Sequence, residues 1–540
     1  MPQHVTIFDT TLRDGTQGEG ISLSVEDKLK IAVKLDELGI HYIEGGWPGS
    51  NGKDIEFFRR AAKLPLKHAK ITAFGSTRRK GVAPEDDVNL NAIIESGVSV
   101  ATIFGKSWDF HVTTALQTTL EENLSMIFDS VRYLKSSGLE VIYDAEHFFD
   151  GYKENREYAL ATIKRAEAAG ADWIVLCDTN GGSLPGEVSA IVADVIANVA
   201  APIGIHAHND CELGVANSLA AVQAGARQVQ GTFNGLGERC GNANLCSVIP
   251  NLQLKLGYNV VTPEQLQSLT NTARFVSEIA NVHLPVNQPY VGSAAFAHKG
   301  GIHVSAVLRH SKTYEHIVPE LVGNRQRVLV SELAGQSNLL FKAQEMGLDF
   351  DLQNDATKRL IGTIKEMEHQ GYHFEGADAS LELLIRRSIG QQEDIFTLES
   401  FKLLMEKSGD NPVVSEAILK INVNGETVYT AAEGNGPVNA LDNALRKALE
   451  KYFPDIRNIH LTDYKVRVIN DQDATAAKVR VLIESSDYDA TWSTVGVSEN
   501  VIEASWEALV DSLRYAILGK EAVVTEPNDD SRDRVGIVNH

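Results

Sequence analysis

Cysteine is scarce in this chain: Cys177, Cys211, Cys240 and Cys246 are the only four in 540 residues, and no Cys-x-x-Cys pair occurs. That excludes a disulfide-stapled scaffold or a thiolate zinc ribbon, and reduced thiols fit a cytoplasmic protein. No apolar run approaches the roughly 18 residues that a membrane-spanning helix requires. Met1-Pro2-Gln3-His4-Val5 lacks the basic and apolar stretches of a signal peptide. Positive charge is also short, with 50 Lys+Arg against 72 Asp+Glu and a net charge of −22. Neither a nucleic-acid nor an anionic-membrane partner is expected, because both need a concentrated basic face. An anionic substrate must therefore be held by a local site against the overall field. A G-x-G-x-x-G motif behind the first expected strand and a phosphate loop are missing too. The nearest match, Gly235-Leu236-Gly237-Glu238-Arg239-Cys240-Gly241, has a different spacing and follows the last expected strand.

What is present is an ordinary globular composition, 43% hydrophobic and 23% charged, in a chain long enough for about two to four domains. Up to about residue 260, strands and helices alternate. A helix begins behind Ser24, a good N-cap with Asp27 three residues on, and stops at Gly39, where a left-handed C-terminal cap favours glycine. The sequence helix end, glycine, strand recurs at Gly97, Gly138, Gly170 and Gly225. Strands are expected at 5–8, 40–43, 71–74, 98–101, 139–142, 171–175, 203–207 and 226–229. Eight βα units in about 250 residues predict an α/β fold, a (β/α)8 TIM barrel over 1–265, in preference to an open doubly wound sheet. Strand signals then thin out, and helical spacing at 266–279, 360–370 and 379–389 predicts a helical connector over 266–410. From 411 to 525 an α+β domain is expected, with an internal βα repeat whose helices fall at 438–452 and 501–518. The acidic end, 526–540, is expected to be disordered.

The stretch that organises the chemistry is Ala201-Pro202-Ile203-Gly204-Ile205-His206-Ala207-His208-Asn209-Asp210. Alternation along a strand turns His206 and His208 to one side, a natural pair of divalent-metal ligands. A lone His-x-His would more often be two polar residues leaving a core. Here the other strand ends are also polar, and active sites of such barrels lie at those ends. They carry Asp9-Thr10-Thr11-Leu12-Arg13-Asp14-Gly15-Thr16-Gln17, then Glu44-Gly45-Gly46-Trp47-Pro48-Gly49, Asp144-Ala145-Glu146-His147, Asp178-Thr179-Asn180 and the segment 234–242. Acids, imidazoles and an arginine on one rim can build a metal site, an anion clamp and a general base. Capping or pairing with Arg13 and Arg239 explains Asp9, Glu44 and Glu238 equally well. Cys240, with no base motif beside it, is expected to pack rather than to attack.

These motifs resemble those of the α-isopropylmalate/homocitrate/citramalate synthase family. The likeness rests on residues 9–17, on His206-Ala207-His208-Asn209-Asp210 and on Gly237-Glu238-Arg239-Cys240-Gly241-Asn242, and extends over about residues 4–520. Glu44-Gly45-Gly46-Trp47-Pro48-Gly49-Ser50-Asn51 departs from the Glu-Val-Gly-Phe-Pro of isopropylmalate synthases and is similar to the long citramalate synthases. The resemblance implies a Claisen condensation of acetyl-CoA with a 2-oxo acid, pyruvate being the expected one, on the way to 2-oxobutanoate and isoleucine. By position it makes Asp14, His206, His208 and Asn242 the ligands of a divalent ion (Mn, Mg, Co or Zn). It makes Arg13 the stabiliser of the nascent alkoxide, and Gln17 and Thr179 substrate contacts. The segment Phe296-Ala297-His298-Lys299-Gly300-Gly301-Ile302-His303 resembles a connector that reaches a neighbouring subunit's barrel. That implies a homodimer with His303 as catalytic histidine, Glu146 as its acidic partner and Tyr314 beside it; His298 competes with His303. The C-terminal domain is implied to be regulatory, with isoleucine as its effector; dimerisation is the plainer role for it. The rivals are isopropylmalate or homocitrate synthesis, a retro-aldol lyase, and a non-catalytic amino-acid sensor, which would lack a metal ligand.

Overall fold

The computed structural model describes residues 3–329, 355–388, 390, 395–407, 409, 413–469, 477–487 and 490–524. The expected domain start at 411 and the expected tail at 526–540 lie outside the described residues. Two compact units result: Met1–Ala297 with Glu315–Arg327, and His298–Tyr314 with Val328–His540.

The first unit is a closed, all-parallel eight-stranded barrel, β1 (Thr6–Asp9), β2 (Tyr42–Gly46), β3 (Lys70–Ser76), β4 (Val100–Lys106), β5 (Glu140–Glu146), β6 (Trp173–Asp178), β7 (Ile203–Ala207) and β8 (Gln228–Gly231). Helix α1 (Val25–Glu37) opens with the expected reciprocal cap between Ser24 and Asp27. Gly39, Gly97, Gly138, Gly170 and Gly225 all take positive φ, from +75° to +124°, so each ends its helix in a conformation costly for other residues. Six of the eight strands begin one or two residues later than the apolar pattern predicts, and several run on into polar residues. β5 ends on Asp144, Ala145 and Glu146, and β6 on Asp178. Pairing with the neighbouring strands β4 and β7, rather than hydrophobicity, carries those last residues into the sheet. Helix α2 (Leu269–Ile279) buries Leu269, Ala273 and Val276 in the same core as the barrel.

In the second unit, helix α3 (Gly301–Arg309) precedes α4 (Asp355–His369) and α5 (Asp378–Ser388). Two copies of a three-strand-plus-helix unit follow. The first holds β9 (Phe396–Glu406), β10 (Val414–Val423), β11 (Glu426–Gly434) and α6 (Pro437–Leu449). The second holds β12 (His460–Val468), β13 (Val479–Ser486), β14 (Thr491–Ser498) and α7 (Val501–Val524). Each sheet is antiparallel in chain order. In β10 every second residue is buried, and Ala417, Leu419, Ile421 and Val423 share a core with Leu441, Ala444, Leu445 and Leu449 of α6. The expected βα repeat is thus built as a βββα unit. Its first strand, β9, falls in the stretch expected to be helical connector. β9 is an edge strand with most side chains exposed, so it shows no alternation, and its Leu, Lys, Met and Glu residues suit a helix equally well. Pairing with β10, which is not a local signal, makes it a strand. Among the described residues no helix is long and apolar enough to cross a membrane.

Candidate active site

At the C-terminal rim of the barrel lies a cavity of about 270 Å³ into which three ligand-type side chains converge. Asp14 Oδ2 is 3.4 Å from His206 Nε2 and 3.9 Å from His208 Nε2, and the two Nε2 atoms are 3.3 Å apart. All three side chains are buried. Among the described residues no other group of three such donors is as tightly gathered. His206 sits on β7, and the alternation of the strand brings His208 to the same side. Asp14 is presented by a turn in which Arg13 N–H and Gly15 N–H both donate to the Thr10 carbonyl, at 3.1 and 3.0 Å. Thr10 N–H in turn donates to Gly231 O at the end of β8.

Asn242 is the fourth expected ligand. A backbone bridge pairs it with His208. Its Nδ2 donates to Leu236 O at 3.2 Å, while its buried Oδ1 has no hydrogen-bond partner among the described residues. The amide fits only because residue 237 is glycine, since a Cβ there would lie 2.3 Å from Asn242 Nδ2. A carboxylate and two imidazoles so gathered are donors that could hold a divalent cation. Burial works against the Asp14 carboxylate, yet Arg13, His206 and His208 hold it well below the usual range. Burial and the His206 ring push His208 down to about 3. Burial would also lower His206, but Asp14 prevails and raises it.

Arg13 is fixed from two sides. Its Nε donates to Glu44 Oε2 at 2.6 Å and its guanidinium carbon lies 3.8 Å from the centre of the Phe74 ring. Glu44 also accepts from the Thr10 hydroxyl, so its place is to hold Arg13. Asp9 accepts from Thr11 N–H and Oγ–H, at 2.9 and 2.8 Å, and is likewise structural. Glu238 pairs with Arg239 and reaches the cavity wall. Gln17, Glu146 and Thr179 line the same cavity. Thr179 Oγ1 accepts from His147 N–H at 2.9 Å, which leaves its own proton to donate. Glu146 forms an ion pair with Lys106, its register partner across β4 and β5. His303 and Tyr314 belong to the second unit, where both are exposed and their rings lie 4.2 Å apart. Cys240 corrects an expectation: it lies at an exposed loop position, not packed.

Residues 4–276 match the HMGL-like family, 290–372 the homocitrate synthase post-HMGL domain-like family, and 375–517 the LeuA allosteric (dimerisation) domain. Over 523 residues the chain is 58% identical to an (R)-citramalate synthase of Aquifex aeolicus, covering 96% of this chain and 99% of that one. It is 56% identical to an (R)-citramalate synthase of Geobacter sulfurreducens, covering 96% and 98%. A 2-isopropylmalate synthase of Methanocaldococcus jannaschii is 32% identical, with 96% of each chain covered. The chain belongs to the HMGL-like family.

The HMGL-like barrel also brings to the cavity Phe74 and Phe104, which motif reading passes over, beside Trp47 and Asp144 of the expected strand ends. Trp47, Phe74 and Phe104 form an aromatic wall, with ring centres 5.4 to 5.9 Å apart. Trp47 is held by its indole N–H to Asn89 Oδ1 and by its backbone N–H to Asp54 Oδ2. Asp54 in turn meets the buried Lys28 ammonium at 2.5 Å. Asp144 lines the cavity as well, and burial with the nearby Glu44 pushes its carboxyl up to about 7. In sequence the two phenylalanines look like ordinary strand residues. Only the closure of the barrel shows that they face the site.

Proposed function

We propose that this chain is an (R)-citramalate synthase, joining the acetyl group of acetyl-CoA to pyruvate with uptake of water and release of CoA. The observation that carries this reading is the chelating cluster beside Arg13 in one small, aromatic-walled cavity, in a chain 58% identical along nearly its whole length to an (R)-citramalate synthase. Asp14, His206, His208 and Asn242 are the residues that would hold a divalent ion, whose chemistry is to polarise the keto group of a chelated 2-oxo acid. Arg13, immobilised by Glu44 and Phe74, donates to the oxygen on which negative charge develops. Thr179 offers its hydroxyl proton to the substrate carboxylate and Gln17 its amide. The aromatic wall favours the methyl group of pyruvate over the branched side chain of 2-oxoisovalerate.

The acetyl methyl group must lose a proton before it can attack. We assign that step to His303 with Tyr314 beside it, aided by Glu146 of the barrel to which the connector of a neighbouring copy contributes. A dimer built by the C-terminal unit follows from this assignment, and isoleucine is the effector it would bind. A soluble cytoplasmic enzyme serving 2-oxobutanoate and isoleucine synthesis completes the reading, with domains at 1–265, 266–410 and 411–525. The test is CoA-thiol release from acetyl-CoA with pyruvate, 2-oxoisovalerate and 2-oxoglutarate in parallel, each with and without chelator. Chelator-sensitive release with pyruvate alone is the expected result. Preference for another oxo acid overturns the substrate, and no release with any overturns the reaction.

A further inference from the structure

We infer that Gln230, which does not touch the cavity, is the positioning residue that sets which nitrogen of His206 faces the metal site. The inference rests on the metal-site reading above, though not on the substrate. Gln230 lies on β8 directly opposite His206 in the β7–β8 register and is fully buried. Its side chain spans two groups: Oε1 is 2.9 Å from His206 Nδ1, and Nε2 donates to Asp144 Oδ1 at 3.0 Å.

The orientation of that amide follows from its partners. A carboxyl oxygen of Asp144 is the acceptor for the NH2 end, which leaves the carbonyl end toward the imidazole. A carbonyl oxygen can only accept, so His206 carries its hydrogen on Nδ1. The nitrogen left to face Asp14 Oδ2, at 3.4 Å, is Nε2. In the other tautomer Nδ1 and Gln230 Oε1 would be two buried acceptors face to face, each unpaired at a cost of about 1–3 kcal/mol. A flipped Gln230 amide would give His206 the wrong tautomer and point its oxygen at Asp144. The three residues come from β5, β7 and β8, so each strand fixes one point of the relay. Among the described residues His208 has no equivalent support: its buried Nδ1 has no partner there. His206 is therefore the preset ligand of the pair, and Gln230 with Asp144 is what presets it.

The experiment titrates metal-free protein with Mn2+, following free Mn2+ by electron paramagnetic resonance, for wild type, Gln230→Leu and His206→Ala. Removing such an outer hydrogen bond weakens metal binding by about 10–100-fold, and that loss is expected for Gln230→Leu with the far-ultraviolet circular dichroism unchanged. Wild-type affinity in Gln230→Leu overturns the inference. Should that variant not fold, zinc-loaded wild type labelled with 15N-histidine decides the matter. His206, assigned by comparison with His206→Gln, is expected to show a directly bonded hydrogen on Nδ1 and a metal-shifted Nε2. The reverse pattern overturns it. Neither readout needs turnover, so a chain that binds metal without condensing any oxo acid would sink the proposed reaction and leave this inference standing.

Discussion

Replacing Trp47 by alanine should change which 2-oxo acid the cavity accepts more than it changes the fold. Trp47 closes one side of a cavity of about 270 Å³ and meets both Phe74, at 5.5 Å, and Phe104, at 5.9 Å. 2-Oxobutanoate differs from pyruvate by one methylene, and such a difference in an apolar pocket is worth about 1–3 kcal/mol, or 10–200-fold in kcat/KM. With the indole removed, the ratio of kcat/KM for 2-oxobutanoate to that for pyruvate is expected to rise by about that factor. The structural cost is bounded, because Trp47 is only half-buried, so its truncation stays below the roughly 3–5 kcal/mol of a core aromatic. The backbone N–H of residue 47 keeps its bond to Asp54 in the variant. The assay is CoA-thiol release with each oxo acid over a range of concentrations, at a temperature where circular dichroism shows both proteins folded. An unchanged ratio in a folded variant that still turns over pyruvate would refute the idea that this wall sets substrate size.

Four further outcomes are expected. His206→Ala should abolish chelator-sensitive turnover and Mn2+ binding together; activity equal to wild type would remove His206 from the ligand set. His303→Ala should bind Mn2+ normally but lose solvent exchange of the acetyl-CoA methyl protons, measured by proton NMR in deuterium oxide. Exchange at the wild-type rate would take the proton-transfer role from His303. Asp54→Ala leaves Lys28, 2% exposed, as an uncompensated buried charge, and should cost about 3–5 kcal/mol in urea unfolding. A loss below about 1 kcal/mol would mean that water reaches the ammonium. Asp9→Asn tests a buried carboxyl raised, mainly by burial, from 3.8 to about 7. Between those values folded wild type holds a proton that the unfolded chain has lost, so its stability falls relative to the variant as pH rises from 3.8 to about 7. Urea midpoints for both proteins across that range should diverge steadily, and parallel curves would count against the shift.

Much of the barrel was legible because its signals are local. A capping pair, Ser24 with Asp27, and a glycine such as Gly39 act within a few residues, so they mark the helix ends wherever the chain goes. The His-x-His spacing is local too, since strand alternation alone turns both rings to one side. β9 was not legible, because an exposed edge strand becomes a strand only through its partner. Lys106 gave no signal for the same reason, as its tie to Glu146 is made across two strands.

By itself the sequence determined the eight βα units, the duplicated C-terminal unit and the kinds of side chain at the strand ends, because spacing, capping and hydrophobic period are properties of neighbours along the chain. It could also name Asp14, His206, His208 and Asn242 by resemblance. The tertiary structure alone decided that Asp14 Oδ2 comes within 4 Å of both imidazoles and that Glu44 is spent on holding Arg13. It alone placed Trp47, Phe74 and Phe104 around one cavity and put Gln230 behind His206. Those relations join residues tens to hundreds of positions apart, and only closing the sheet into a barrel sets the distances between them.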